Sequence, residues 1–194
     1  MSRRGERTQL AILEAASGLL REHGPARVTM ADVAAAANLT RQALYLHFPT
    51  RGRLMVALIQ HVGRQLGSQE VFAPVEAARG AFDELERALQ AVATYAPRMH
   101  PFAVALDLAR HTDPDVAAAW EDRMAQRRKR LHEIVARHAK RPGLRAGWTV
   151  ARATDALWTL TSPGTYADFV VERGNSVASY EQFLYVTARA LFAG

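Results

Sequence analysis

The sequence has no cysteine among its 194 residues, which excludes a disulfide framework and a zinc site built on thiolates. Long apolar runs are also missing, and none approaches the ~20 residues that a membrane-spanning helix needs. The N-terminus is basic, but Glu6 and Glu14 interrupt the stretch in which an export signal would need an apolar core. Because nothing requires an oxidising compartment, we expect a cytoplasmic protein without a membrane partner.

Alternation of apolar and polar residues, the signature of β-strands, is nearly absent as well. Apolar residues instead recur at helical spacing between glycine and proline residues, which predicts an all-α fold. Hydrophobic residues make up 49% of the chain, enough to bury a substantial core. The predicted helices span about 4–22, 30–36, 41–48, 51–66, 75–96, 102–110, 114–138, 149–160, 164–172 and 177–192, with a link near 67–76.

Positive charge is concentrated in the first third of the chain. Residues 1–64 contain nine arginines and four acidic residues, a net charge of +5, whereas the remaining 130 residues contribute only +1. Such a local excess of positive charge attracts polyanions. The first third is therefore the part that we expect to bind nucleic acid.

Two short helices near residue 40 indicate a helix-turn-helix. Thr29 and Asp32 have the spacing of a capping box that opens the first of them. Asn38 suits a left-handed turn, and Thr40 can cap the second helix, Arg41 to about Phe48. In a helix-turn-helix the second helix enters the major groove with its N-terminus first.

This placement assigns a role to each polar side chain of the segment. Arg41 and Gln42 lie in the first turn of the second helix, where their side chains suit guanine and adenine edges respectively. The predicted contacts to backbone phosphates come from Thr29, Thr40, Tyr45, His47 and Arg51. Taken singly, these residues are equally typical of a solvated cap, a core aromatic or an ordinary surface. Combined in one segment of charge +5, they favour DNA binding.

The stretch 37–48, with the sequence ANLTRQALYLHF and followed by Arg51, resembles the DNA-binding head of TetR-family regulators. The similarity includes parts of the first two helices and extends over about the first 60 residues. Asn38 stands where the family usually has glycine, and Arg51 where it usually has lysine. Segment 156–163 resembles more loosely the C-terminal region of one large group of these proteins.

The resemblance implies a homodimer that places two heads on adjacent major-groove faces of a near-palindromic operator in double-stranded DNA. It also implies a body that binds a small-molecule effector, whose occupancy changes the spacing of the heads, with repression as the commoner mode. The matching organisation is a three-helix helix-turn-helix head at 1–50, a connecting fourth helix at 51–66, and a larger helical body for effector binding and dimerisation at 67–194. No cofactor is implied.

The last predicted helix carries apolar residues on more than one face, which indicates a partner chain as well as packing within the body. With an earlier tail helix it can form a four-helix bundle across a two-fold axis. The predicted interface consists of Trp158, Tyr180, Phe183, Leu184, Thr187 and Leu191. Packing of these residues inside a monomer core is the alternative.

Large and partly polar side chains in the body indicate an effector pocket for an apolar or aromatic ligand. The candidate lining residues are Met99, His100, Phe102, Trp120, Met124, Trp158 and Tyr166, although each alone is more typical of a structural core. The basic run 127–130 lies in a predicted helix with Glu121, Asp122 and Glu133 at one-turn spacings. We therefore expect this run to be a solvated face rather than a second nucleic-acid site.

Two other functions remain as alternatives for a helical chain. An all-α enzyme is disfavoured because the sequence has no nucleophile elbow, phosphate-binding loop or His-Glu-x-x-His motif, and its histidines lack metal-ligand spacing. We therefore predict no catalytic residue and no metal site. A helical interaction module that has lost DNA binding is disfavoured by Arg41, Gln42, Tyr45 and Arg51, since a decayed head would lose such donors first. The prediction is thus a DNA-binding regulator and not an enzyme.

Overall fold

A computed structural model describes residues 3–24, 29–140 and 143–192. Within these ranges the chain is helical and forms no β-strand, with a single antiparallel bridge between Leu144 and Phe192. The predicted all-α class is confirmed. None of the helices in the same ranges is both long enough and apolar enough to span a membrane.

Four helices form the N-terminal part of the chain. They are α1 (Arg3–His23), α2 (Met30–Ala36), α3 (Arg41–His47) and α4 (Arg51–Gln65), each within one residue of its predicted ends. The first helix contacts the other three, and α2 contacts α3. The buried residues of α1 recur at helical spacing and form one stripe: Ile12, Leu13, Ala16, Ser17 and Leu20.

The remaining helices follow in chain order. They are α5 (Ser68–Glu76), α6 (Ala81–Ala109), α7 (Pro114–Lys140), α8 (Val150–Leu160), α9 (Pro163–Tyr166) and α10 (Val177–Arg189), with a π-helical turn (Ala167–Glu172) after α9. Threonine or serine caps α8, α9 and α10 by accepting a backbone N–H, as expected for these residues at a helix start.

Helix α6 runs unbroken where the sequence predicts two helices, at 75–96 and 102–110. The predicted break rests on Pro97 and Pro101, which each lack the N–H that a helix interior uses. That prediction is wrong. Burial offsets the missing hydrogen bonds, since the side chain of Phe102 directly after the second proline is 2% exposed.

The predicted link at 67–76 and the predicted helix start near Val75 are also wrong. Gly67 takes a left-handed conformation with φ of 63°, and α5 begins directly after it. The chain then breaks after Glu76, and the backbone N–H of Arg79 donates to the Asp83 carboxylate (2.9 Å) at the start of α6. A side-chain cap, which apolar periodicity does not report, therefore sets this boundary.

The chain divides into two compact units. The first comprises Met1–Leu66 and Pro101–Asp122, and the second comprises Gly67–His100 and Arg123–Gly194. The second unit has an apolar core to which α6, α7, α8 and α10 contribute, and Tyr166 joins it from α9. The predicted boundaries of head, connecting helix and body remain a prediction.

Candidate nucleic-acid interface and effector site

The turn between α2 and α3 has the geometry that a helix-turn-helix needs. Asn38 adopts φ of 54°, the left-handed conformation that the sequence predicts. Three backbone hydrogen bonds close the end of α2: the N–H groups of Ala37, Asn38 and Leu39 donate to the carbonyls of Val33 (2.9 Å), Ala35 (3.0 Å) and Ala34 (2.9 Å) respectively. The position of α3 relative to α2 therefore depends on hydrogen bonds within the turn as well as on apolar packing.

Side-chain caps begin both short helices. Thr29 and Asp32 form the predicted capping box: the Asp32 N–H donates to the Thr29 hydroxyl (3.2 Å), and the Thr29 N–H donates to the Asp32 carboxylate (3.2 Å). Hydrogen bonds from the Thr29 side chain and backbone, with further help from Arg41 and His23, hold the pKa of Asp32 below its usual value. The Thr29 hydroxyl also donates to this carboxylate (2.6 Å), so both of its hydrogen-bonding roles are used inside the box.

Helix α3 presents a continuous polar and apolar face to solvent. Arg41, Gln42, Tyr45 and Leu46 are all exposed and lie one turn apart in two adjacent rows. The opposite face is anchored by Leu44, which is fully buried. The exposed side of α3 is therefore free to contact a large partner along its whole length.

Leu46 is a residue of this face that sequence reasoning missed. Its side chain is 85% exposed, which is unusual for leucine on a short helix. Leu46 follows Gln42 by four residues, and residues at that spacing share a helix face. This spacing alone indicates that Leu46 lies on the same face as Gln42. Leu46 therefore shares the exposed face of α3 with Arg41 and Gln42.

The Thr40 and Thr50 hydroxyls cap α3 and α4. They accept the backbone N–H of Ala43 (3.2 Å) and of Arg53 (3.1 Å) respectively. His47 and Arg51, both predicted to bind phosphate, are half-buried between the two caps. The start of α4 directly after α3 therefore supplies backbone N–H groups and a cation close to the exposed face of α3.

The N-terminus of α4 is also tied to α7 within the first unit. The Arg53 guanidinium forms an ion pair with Asp115 (3.1 Å), and the Thr50 hydroxyl donates to the same carboxylate (3.4 Å). Gly52 lies buried against Asp113, the residue whose carboxylate accepts the N–H groups at the start of α7. These contacts position α4, and with it the end of α3.

The predicted effector residues fall in both units. In the first unit, Phe102 is buried, and the ring of Trp120 lies 5.2 Å from the Arg110 guanidinium carbon. The second unit contains the other five residues: Met99, His100, Met124, Trp158 and Tyr166. Among these, the rings of His100 and Tyr166 are in contact, with their centroids 5.2 Å apart.

The predicted dimer residues differ in their exposure. Tyr180 and Leu184 are fully buried and Leu191 is 6% exposed, all within the apolar core of the second unit. These three side chains therefore present no surface to a partner chain. Phe183 is half-buried and Thr187 is exposed, so these two do face outward.

The basic run 127–130 is not a uniformly solvated face, and that expectation is wrong for its first residue. Arg127 turns inward and donates from Nη2 to the backbone carbonyl of Trp158 (2.6 Å) and to the Thr161 hydroxyl (2.6 Å). Its neighbour Arg128 pairs with Asp155 (2.5 Å) on α8 rather than with an acidic residue of its own helix. Helical spacing alone does not distinguish an arginine that faces water from one that faces α8.

Known proteins resemble this chain at two levels. Residues 12–58 match the family model of bacterial regulatory proteins, tetR family. The HTH-type transcriptional repressor Rv3405c of Mycobacterium tuberculosis is 36% identical over 61 residues, which are 31% of this chain and 32% of that protein. The chain thus matches about a third of the length of this relative.

Solved structures extend the likeness in fold to nearly the whole chain. A TetR transcription regulator from Haloarcula marismortui superposes with a TM-score of 0.75 at 15% identity, over 97% of this chain and 100% of that one. A candidate transcriptional regulator from Saccharomonospora viridis, solved in complex with choline, has a TM-score of 0.77 at 16% identity, over 92% of this chain and 94% of that one. The sequence match to the tetR family is thus limited to residues 12–58, and the likeness over nearly the whole chain is one of fold.

Proposed function

We propose that the protein is a ligand-responsive transcriptional repressor that binds a near-palindromic operator as a dimer and is released or altered by a small effector. The observation that carries DNA binding is the exposed face of α3, where Arg41 and Gln42 stand in the first turn of a capped helix. The net charge of +5 over residues 1–64 favours approach to a polyanion. The family consists of regulatory proteins, so the alternative of an all-α enzyme has no support.

In this proposal, some residues in and beside α3 contact DNA bases and others contact the DNA backbone. Arg41 and Gln42 contact base edges, and Leu46 packs on a thymine methyl group. Thr40, Tyr45, His47 and Arg51 contact phosphates on either side. Thr29 contributes mainly by holding α2 in place, because its hydroxyl is engaged with Asp32.

Selection of random duplex DNA by the purified protein tests this proposal, with affinity then measured over a range of salt concentrations. We expect an enriched palindrome and a steep fall in affinity with salt. Replacement of Arg41 by alanine should cost about 1–3 kcal/mol per head and relax the base preference at one position. Arg51→Ala should weaken all sequences about equally and reduce the salt slope by roughly one.

Arg64→Ala is the matched control, because it removes the same charge from an exposed position in the last turn of α4. It should leave base preference unchanged. If no palindrome is enriched, the regulator proposal fails. If Arg41→Ala and Arg51→Ala behave alike, DNA binding stands but the division of roles does not.

For the dimer, the proposed contact surface is the outward side of α8 and α10. A shallow depression there is lined by Asp155, Ala156, Thr159, Leu160, Thr165, Phe183 and Thr187. Val186, which precedes Thr187 in α10, is 55% exposed and adds apolar surface to this side of the helix. The proposed interface therefore keeps Trp158, Phe183 and Thr187, adds Val186, and leaves out the buried Tyr180, Leu184 and Leu191.

Sedimentation of Val186→Glu tests this surface, because a buried charge at the interface would separate the protomers. Val171→Glu is the control, since Val171 is 54% exposed but lies on the π-helical turn instead. We expect the Val186 variant to sediment as a monomer and the Val171 variant as a dimer. A dimer that survives Val186→Glu unchanged would contradict this interface.

A further inference from the structure

Arg127 in the second unit is an inward-facing arginine without an acidic partner. Its Nη2 donates to the carbonyl of Trp158 and to the hydroxyl of Thr161, both at 2.6 Å. Its Nη1 is completely enclosed and has no hydrogen-bond partner within the described part of the chain. The ion pairs found in that part do not include Arg127. An enclosed cation with a spare donor is costly unless something anionic pairs with it.

Two residues that interact with this guanidinium carry further unpaired donors: Tyr180, whose pKa burial raises and the charge of Arg127 lowers, and Trp158, whose ring the guanidinium covers. Tyr180 is 0% exposed, and its hydroxyl has no hydrogen-bond partner among the described residues. The Nε1 of Trp158 is likewise buried and unpaired there, while the Arg127 guanidinium carbon lies 5.2 Å from the centre of the Trp158 ring. Buried polar atoms nearly always have partners in folded proteins, so these orphaned donors on interacting residues call for an explanation.

Aromatic rings continue the cluster beyond the three donors. The ring of Tyr166 packs edge-on against that of Tyr180 (5.4 Å between centroids), and Phe169 contacts Tyr180 from another side (5.9 Å). His100 contacts Tyr166 and carries one more buried, unpaired ring nitrogen, Nδ1. A combination of polar atoms and ring faces is typical of the lining of sites for small organic molecules.

The charge state of the cluster at neutral pH is positive. Burial lowers the pKa of Arg127 to about 10, which still leaves the guanidinium charged. Burial raises the pKa of Tyr180 to about 12, so its hydroxyl keeps the proton that it can donate. Burial also lowers the pKa of His100, whose ring is then neutral. The cluster therefore offers donors and one positive charge to a ligand.

We propose that Arg127, Tyr180 and Trp158 bind the carboxylate of a small organic acid, with the rings of Tyr166 and Phe169 against its apolar part. A carboxylate supplies acceptor oxygens for all three donors and neutralises the arginine, which no neutral ligand does as well. This inference rests on the proposed function, in which the body binds an effector, and it specifies the chemical class of that effector. It replaces the broader expectation of an apolar or aromatic ligand.

Binding of matched probes to the full-length protein tests this inference by calorimetry and thermal shift. The acids are hexanoate and benzoate, their neutral counterparts are hexanamide and benzamide, and the cation is choline. We expect both acids to bind and to raise the melting temperature, and the amides and choline to do so at least about tenfold more weakly. If no acid binds, or if acids and amides bind equally, the inference is overturned.

Variants then locate the binding. Arg127→Met should weaken benzoate binding by roughly 10- to 100-fold, because a hydrogen-bonded ion pair is lost. Tyr180→Phe removes only an unpaired hydroxyl and is expected to fold. It therefore tests the same site even if Arg127→Met fails to fold. Arg130→Met is the matched control, an exposed arginine three residues along α7. Benzoate binding that survives both site variants, or that falls equally in the control, refutes the site.

The DNA selection described above separates the two proposals. A protein that selects a palindrome but ignores acids refutes only the acid site. A protein that binds benzoate through Arg127 but selects no DNA refutes the regulator and retains the acid site. When both are present, adding benzoate to the protein–DNA complex measures their coupling directly.

Discussion

Replacement of Gly52 by alanine tests how the start of α4 is positioned. Gly52 is buried in the first turn of α4, and a Cβ added there would overlap the carboxylate of Asp113. That carboxylate accepts the backbone N–H groups of Asp115 (3.0 Å) and Val116 (3.3 Å) and so caps α7. The new methyl group must therefore displace either the cap or helix α4.

Both responses cost stability. Loss of an N-cap costs about 0.5–2 kcal/mol, and overpacking of a filled space costs about 1–3 kcal/mol. Alanine in a helix recovers up to about 1 kcal/mol relative to glycine. We therefore expect Gly52→Ala to lower the free energy of unfolding by up to about 2 kcal/mol, or the melting temperature by up to roughly 8 °C for a chain of this size.

Urea unfolding monitored by circular dichroism measures this loss, with Gly18→Ala as the control. Gly18 lies inside α1, and a Cβ added there would have no atom within 4 Å, so this variant should be stabilised by about 0.5–1 kcal/mol. Adding Asp113→Ala to Gly52→Ala removes the clash as well as the cap. The double variant should then be no less stable than Asp113→Ala alone.

A clash between Gly52→Ala and Asp113 is refuted if Gly52→Ala is as stable as Gly18→Ala, or if the effects of the Gly52 and Asp113 substitutions on stability are additive. The first result would mean that α4 and α7 are not in close contact at this point. The second would mean that the Asp113 carboxylate is not the obstacle. In either case, the start of α4 would have to be positioned by other contacts, such as the Arg53–Asp115 ion pair.

Two further substitutions probe the second unit. Without added ligand, Tyr180→Phe should raise the melting temperature, since an unpaired buried hydroxyl costs about 1–3 kcal/mol; a lower melting temperature would show that the native protein satisfies this hydroxyl. His138 is fully buried between the rings of Phe82 and Phe192, and burial lowers its pKa from 6.5. Below pH 6.5 the His138 ring is protonated in the unfolded chain but not yet in the folded one. The free energy of unfolding should therefore decrease as the pH is lowered, until the pH reaches the lower pKa that His138 has in the folded protein. Urea unfolding of wild type and His138→Leu at pH 7.5 and 5.5 checks this, and an equal loss in both would contradict it.

Local chemistry explains why much of the head could be predicted from sequence. The capping box of Thr29 and Asp32 is formed by residues three positions apart, and the left-handed conformation of Asn38 is a property of that single residue's backbone. Such features depend on neighbours in the chain, which the sequence displays directly. The bounds of α2 and the choice of Arg41 and Gln42 as exposed residues follow from the same local spacing.

Features that depend on distant neighbours were less predictable. Pro97 and Pro101 lie inside α6 because burial of the helix outweighs two missing hydrogen bonds, and burial depends on which helices pack there. Tyr180 and Leu184 satisfy the pattern of an interface as well as that of a core, and only the packing of the second unit buries them. The same periodicity is compatible with both arrangements.

The sequence by itself therefore determined the all-helical class, the caps and turn of the helix-turn-helix, and the exposure of Arg41, Gln42 and Tyr45 on α3. Only the tertiary structure decided that Arg127 turns from the basic face of α7 toward α8, where it donates to the Trp158 carbonyl and the Thr161 hydroxyl. The physical reason is the separation along the chain of the residues that interact. A cap or turn is formed within a few residues, whereas an enclosed cation is defined by donors and rings that approach it from other helices.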